Sequence, residues 1–130
     1  MTKANATFIA IKAAVKSAIA EVGYGHREAV YQRALTAELM RRRVASMTEV
    51  PIPFFTHGVC VGVGRVDILT DSHVIEMKSA PMTRTLLTRG QQQTRKYLVA
   101  MRKVHACNRQ RRGVLIVIDS VAQKLYIRQV

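Results

Sequence analysis

Gly113-Val-Leu-Ile-Val-Ile-Asp119 is a run of branched aliphatic residues with no polar alternation. A strand with one wet face alternates apolar and polar side chains, so an unbroken run reads as a strand buried on both faces. Such a strand needs packed layers on either side of its sheet. The chain has 130 residues, enough for one domain spanning 1–130 with a proper core and too few for two.

Helical periodicity supplies the layers. Phe8, Ile11, Val15, Ala18, Ile19 and Val22 predict a first helix from about Ala4 to Val22, ended by Gly23 and Gly25. A second helix is expected from about Arg27 to Arg43, with Tyr31, Leu35 and Leu39 on its buried stripe. Val50-Pro-Ile-Pro-Phe-Phe reads as an edge strand, because two prolines cannot sit in a central ladder. Thr56-His57-Gly58 marks a turn. Val59 to Leu69 reads as a longer strand, whose Gly62 and Gly64 suggest a bulge or a close backbone approach. Thr70 to His73 turns the chain into a third strand, Val74 to Lys78. Beyond Pro81 a helix is expected from about Thr85 to His105, with Leu86, Tyr97, Ala100, Met101 and Val104 as its apolar face. Val121 to Val130 alternates and reads as a closing edge strand. The order α, α, β, β, β, α, β, β predicts an α/β fold, a mixed sheet of about five strands flanked by helices.

The polar residues that carry chemistry concentrate between Gly64 and Ser79. Val74, Glu76 and Lys78 share one face of the third strand, and Ile75 and Met77 the other. A carboxylate and an ammonium flanked by apolar β residues are costly to bury unless they pair or bind something. With Asp67, near the end of the preceding strand, they form an acid, acid, lysine cluster on one sheet. Two readings are open. One is a salt bridge at a sheet edge. The other is a cation site: two carboxylates are hard oxygen ligands suited to Mg2+ or Mn2+, and a nearby lysine can hold a water and favour its deprotonated form. A metal so placed polarises a phosphoryl oxygen and generates a hydroxide nucleophile. Glu28, three residues before Tyr31 and seven before Leu35, falls on the core-facing stripe of the second helix. It either caps the helix amides or reaches an active site at the helix start. Gln93, four residues before Tyr97, also aims inward, as a satisfied core amide or as a ligand contact.

Charge bears on that choice. Lys and Arg number 21 against 8 acids, a net +13. So large an excess implies an acidic partner, most often nucleic acid, although a solvated basic face that aids solubility is the plainer alternative. Basic clusters occur at Arg41, Arg42 and Arg43 and at Arg109, Arg111 and Arg112, with Arg84, Arg89, Arg95, Lys96, Arg102 and Lys103 between them. Three of the acids, Asp67, Asp71 and Glu76, sit in the central stretch. Acids gathered near a phosphate partner repel it. A bound cation removes the conflict by bridging carboxylate to phosphate, which favours the cation reading.

Several classes are disfavoured. No apolar run is long enough to cross a bilayer, and membrane-surface binding lacks its aromatic-rich amphipathic signature. The first twenty residues are Ala-rich, amphipathic and free of acid, as in a transit peptide, but they lack arginine and their helical pattern runs on into Glu21. Cys60 and Cys107 have no CxxC partner, so a reducing, intracellular compartment is expected rather than secretion. His57 with Cys60, and His105 with Cys107, have spacings that fit no closed structural zinc site.

Four motifs in order then carry a resemblance. Gly25-His26-Arg27-Glu28-Ala29-Val30-Tyr31 matches the name motif of the GxxExxY family. Asp67 followed by Glu76-Met77-Lys78 matches the signature of the PD-(D/E)XK nuclease superfamily that contains it. Gln93-Thr94-Arg95-Lys96-Tyr97 is similar to the Gln-x-x-x-Tyr motif of RecB-type nucleases, and the closing strands from Gly113 onward are similar as well. Val66 stands where many members carry a proline; the acid after it is the functional position. The resemblance implies a restriction-endonuclease-like core in which Asp67 and Glu76 hold Mg2+ (or Mn2+) and Glu28 joins directly or through water. Lys78 would activate the attacking water, Gln93 would orient the metal site or a phosphate, and Tyr97 would brace that helix. Size, basicity and the order Glu, Asp, Glu-x-Lys, with Ser79 following, also resemble small archaeal Holliday-junction resolvases, which are dimers. On this ground the expected activity is phosphodiester hydrolysis in branched or duplex DNA, with Arg27, Arg65, Arg84, Arg89, Arg95 and Lys96 contacting the nucleic acid. The competing reading is a noncatalytic nucleic-acid-binding module that keeps the fold. An RNA-directed nuclease ranks below both, for want of an RNA-recognition motif and of aromatic residues for base stacking.

Overall fold

The computed structural model describes residues 1–104 and 110–130. Its elements run α1 (Lys3–Val22), α2 (Glu28–Arg41), β1 (Ser46–Thr56), β2 (Val59–Thr70), β3 (His73–Ser79), α3 (Arg84–Val104), β4 (Arg112–Asp119) and β5 (Lys124–Gln129). His105, Cys107 and Arg109, named above in the zinc and basic-cluster readings, lie outside the described residues.

The five strands lie side by side in chain order. β1 with β2, β2 with β3 and β4 with β5 are antiparallel, whereas β3 and β4 are parallel and joined by the α3 crossover. The sheet is therefore mixed, as expected. Every residue of β4 from Gly113 to Asp119 is buried. Each fully buried Val, Leu or Ile is worth about 1.5–3 kcal/mol, so Val114 to Ile118 make β4 the anchor on which both layers close. On one face Ile68, Ile75, Met77, Val114, Ile116 and Ile118 meet Ile11, Ala14 and Val15 of α1 and Tyr31, Leu35 and Leu39 of α2. On the other, Ile52, Val66, Leu69 and Val74 meet Tyr97, Ala100 and Met101 of α3. None of the helices, over the described residues, is long and apolar enough to cross a membrane.

Several expectations need correction. α2 stops at Arg41 rather than Arg43, and Arg43 has a left-handed backbone (φ 60°) that no helix accommodates. Val22 and Val104 stand at helix ends and are each 37 % exposed, so neither belongs to its helix's buried stripe. The expected bulge in β2 is present, since Phe54 pairs with Gly62 and Phe55 with Cys60, leaving Val61 as the extra residue beside Gly62; Gly64 admits a close approach, since a Cβ there would sit 2.6 Å from the Tyr97 ring. The arginine clusters are partly structural. Arg42 and Arg41 bind the buried Glu38 carboxylate at 2.6 and 3.0 Å and hold it below the usual carboxylate range. Arg111 donates to the Thr70 carbonyl and Arg112 to Asn5.

α3 lies close on β4 at Gly90, where a Cβ would come within 2.7 Å of the fully buried Leu115 side chain. Gly90→Ala removes a helix-interior glycine, a gain of about 1 kcal/mol. Overpacking a closed core costs about 1–3 kcal/mol, and Leu115 has no space to yield. Net destabilisation of about 1–2 kcal/mol is expected, read as a lower midpoint in urea with an unchanged slope.

Candidate active site

The ladder between β2 and β3 is short. Ile68 pairs with Ile75 and Leu69 with Val74, and the next opposed residues, Asp67 and Glu76, do not continue it. Their side chains take over from the backbone. The Met77 N–H donates to Asp67 Oδ2 at 2.9 Å, and the Asp67 N–H donates to Glu76 Oε1 at 3.4 Å. β2 also parts from β1 at this level: Thr48 pairs with Ile68 and Val50 with Val66, but Glu49 and Asp67 between them do not pair. Glu49 has a left-handed backbone (φ 52°). The Asp67 carbonyl, released from the sheet, accepts from Gln32 Nε2 at 2.7 Å, and the same nitrogen donates to Glu49 Oε1 at 3.1 Å. Two breaks in the ladders thus open the sheet around one aspartate.

Glu28 arrives from the other side of this opening, and the loop before it explains how. Gly25 has φ 95°, a backbone open to glycine at little cost, and its N–H donates to Ser120 Oγ at 2.9 Å. The Tyr31 hydroxyl donates to the Gly23 carbonyl at 2.9 Å and accepts from the His26 N–H at 3.3 Å. Ser79 Oγ donates to the His26 carbonyl at 3.0 Å, fastening the loop to the end of β3. In the Gly25, Glu28, Tyr31 motif the glycine turns the chain, the tyrosine braces the turn, and the acid is delivered at the first residue of α2. Glu28 is exposed at the mouth of the opening, which corrects its placement on the buried stripe. The cap position is Arg27, with no side-chain cap bond.

The electrostatics follow from the crowding. Glu76 is 1 % exposed. Burial, then the neighbouring Asp67 charge, pushes its carboxyl up to about 8. Burial also raises Asp67 and Glu28, and the Glu49 charge adds to both. Lys78, half-buried on the same face of β3 as Glu76, acts the opposite way on Glu28, Asp67 and Glu76 alike, so its charge lies within reach of all three. The structure therefore brings Glu28, Asp67, Glu76 and Lys78 together. Asp71 is elsewhere, in the β2–β3 turn, 3.9 Å from Lys3.

Gln93 is placed differently. Its amide donates to the Tyr97 hydroxyl at 3.0 Å, and Tyr97 stacks on Phe54, in the layer of α3 rather than that of α2. Arg27 and Arg65 are exposed beside the opening, Arg65 Nη1 lying 3.9 Å from Glu49. Arg84, Arg89 and Arg95 are exposed on α3, and Lys96 sits over the Phe54 ring. A cleft of about 670 Å³ runs between α2 and β1 with Glu49 on its wall, and none of Glu28, Asp67, Glu76 and Lys78 lines it. Gln32 and Glu49 are the two residues that motif reading passed over. Gln32 stands four residues after Glu28, on the same helix face, a spacing that could have drawn attention to it.

The donor set suits a hard divalent cation. It is all oxygen, and burial raises its carboxyls while the Lys78 charge acts against the rise. Among the described residues no three acids, histidines or cysteines are already drawn into a closed cage.

The raised Glu76 carboxyl makes stability depend on pH. The folded chain keeps a proton that the unfolded chain loses between 4.5 and about 8, so in the absence of divalent cations stability is full below 4.5 and falls as pH rises through that window. The expected loss is on the order of a few kcal/mol. Thermal melts in chelator should show a Tm that declines from pH 5 to pH 8 for the parent and much less for Glu76→Gln, and millimolar Mg2+ should restore the parent at pH 8.

A family model described as the PD-(D/E)XK nuclease superfamily matches residues 5–129, a span that reaches from α1 into β5. No curated protein matches the chain. The mixed five-stranded sheet between helical layers is the restriction-endonuclease-like arrangement, and the acids and lysine of that family's signature converge where its ladder parts. The chain belongs to the PD-(D/E)XK nuclease superfamily.

Proposed function

We propose that the protein is a divalent-metal-dependent endonuclease. It hydrolyses phosphodiester bonds in DNA, with branched or structured forms such as four-way junctions as substrates, and works as a single domain over residues 1–130, inside the cell and as a homodimer. The observation that supports this best is the crossed pair of bonds between Asp67 and Glu76 at the end of the β2–β3 ladder, with Lys78 beside them and Glu28 facing them.

Asp67 and Glu76 would hold Mg2+ or Mn2+, with Glu28 joining directly or through water. When bound, such an ion supplies Lewis acidity at a phosphoryl oxygen and lowers the pKa of a coordinated water. The chain prepares the site in advance. Asp67 Oδ2 and Glu76 Oε1 are each turned to a main-chain N–H, which fixes the orientation of both carboxyl groups. Lys78 Nζ positions the attacking water and favours its deprotonated form. The water oxygen bonds to phosphorus, the bond from phosphorus to the leaving sugar oxygen breaks, and that oxygen takes up a proton from solvent. Charge building on the phosphoryl oxygens is countered by Arg27 and Arg65 at the mouth. Arg84, Arg89, Arg95 and Lys96 extend the phosphate footprint along α3 and make binding salt-sensitive. Gln93, anchored by Tyr97, orients the metal site or a phosphate from the α3 layer.

The test is incubation of purified protein with Mg2+ or Mn2+ and a labelled panel: four-way junction, flap, linear duplex, single strand and RNA. Cleavage is expected with either ion and not in chelator. Lys78→Ala should slow it by about a hundredfold or more while leaving binding intact. Symmetric nicks confined to the junction identify a resolvase, and cleavage across the panel a general nuclease. Tight, salt-sensitive binding without cleavage would overturn the catalytic reading in favour of a binding module.

A further inference from the structure

The β1–β2 hairpin is much longer than the sheet it belongs to. Beyond the pair Val50 and Val66 it runs to its turn at His57 and Gly58 with no third strand beside it. From Val50 to Gly64 this arm contains no Lys, Arg, Asp or Glu, in a chain with 29 such residues (21 basic and 8 acidic). One face of the arm is covered: Ile52 and Phe54 pack with Tyr97, and Gly62 and Gly64 turn the same way, towards Phe54 and Tyr97. The other face carries Pro53, Val61 and Val63. It is bare, with Val61 and Val63 exposed by 63 and 64 %, and Val59, at the tip beyond the extra residue, by 61 %. α1 and α2, which cover this side of the sheet, reach β2 through Ile68 in the core and through the Gln32 bond to the Asp67 carbonyl, short of the arm.

A run of exposed valines on a strand is an association surface. Its chemistry narrows the occupant. Nucleic acid is held through Lys and Arg, and the arm offers none; an acidic protein would find nothing to pair with. Two copies of this chain, each at +13, repel one another wherever their basic surfaces approach, and least where both present an uncharged face. Pro51 and Pro53 interrupt the β1 edge of the arm, and the extra residue Val61 interrupts its β2 edge. Contact is therefore face to face, as between packed sheets.

We infer that two copies of this chain associate through the bare face of the β1–β2 arm, valine row against valine row about a two-fold axis. This gives the homodimer of the proposed function its surface and rests on that reading. The joint adjoins the site, since Arg65, two residues beyond Val63 on the same strand face, lies 3.9 Å from Glu49.

Sedimentation velocity of the full chain, without metal or nucleic acid, tests it. The parent should pass from monomer to dimer as concentration rises, and more readily at high salt, where repulsion between the copies is screened; nucleic-acid binding has the opposite salt dependence. Val61→Lys and Val63→Lys should each weaken dimerisation about tenfold or more. Val61→Thr, which keeps the β-branched shape, should weaken it less, and melts should match the parent's. A parent that stays monomeric at every concentration, or a dimer indifferent to these substitutions, overturns the inference. So does a loss of junction affinity in the lysine variants with no change in mass, which would place the arm on nucleic acid. A dimer that forms as expected in a protein that cuts nothing leaves this inference standing and removes the nuclease reading alone.

Discussion

Everything distinctive in this fold depends on two hydrogen bonds that are not part of the β-ladder. Where β2 and β3 part, Asp67 and Glu76 each accept a main-chain N–H from the opposite strand. An unpaired buried N–H costs about 1–3 kcal/mol, so a sheet cannot simply open at its centre. Carboxylate oxygens at the gap allow it to open, because they satisfy the donors the ladder has abandoned. The gap in turn gives two buried acids a route to the surface, past Glu28 and Lys78.

That solution creates a second problem, which is charge. Glu28, Glu49, Asp67 and Glu76 crowd into the gap of a strongly basic chain with Lys78 as the counterweight. The protein's excess arginine does not neutralise them. Arg41 and Arg42 are committed to Glu38, Arg111 and Arg112 to the Thr70 carbonyl and Asn5, and Arg65 reaches only Glu49. Attraction to a polyanion and room for a cation are thereby kept apart in space, the first spread over the surface and the second confined to the gap.

The layers were legible in the sequence because they rest on periodicity: the apolar run of β4, the Tyr31, Leu35 and Leu39 stripe and the alternation of β3 all survive in the structure. The cluster of Asp67, Glu76 and Lys78 was legible for the same reason, since strand parity and a hairpin turn place them together. Glu28 could be assigned to the cluster but not to its true position. Helical spacing put it on the buried stripe, whereas the first residue of a helix is aimed by the loop before it, here through Gly25, Tyr31 and Ser79. Glu49 was invisible. A regular hairpin about His57 and Gly58 would set it against Val66, and only the extra residue Val61 in β2, opposite Phe54 and Phe55, shifts it to the level of Asp67. Gln32 answers to a broken ladder, and no spacing rule announces a break.

Asp67 and Glu76 fasten β2 to β3 as well as facing the opening, so under the proposed function reagent and rivet would be the same atoms. Losing either carboxylate would free a main-chain N–H in the middle of the sheet and loosen the junction that aims the other. A lineage drifting away from its chemistry would pay in foldedness as well, and Lys78, which holds no strand, is where such drift would meet least resistance. The same coupling acts within one molecule's lifetime. Whenever thermal fraying parts β2 from β3, both carboxyl groups lose their fixed orientation together.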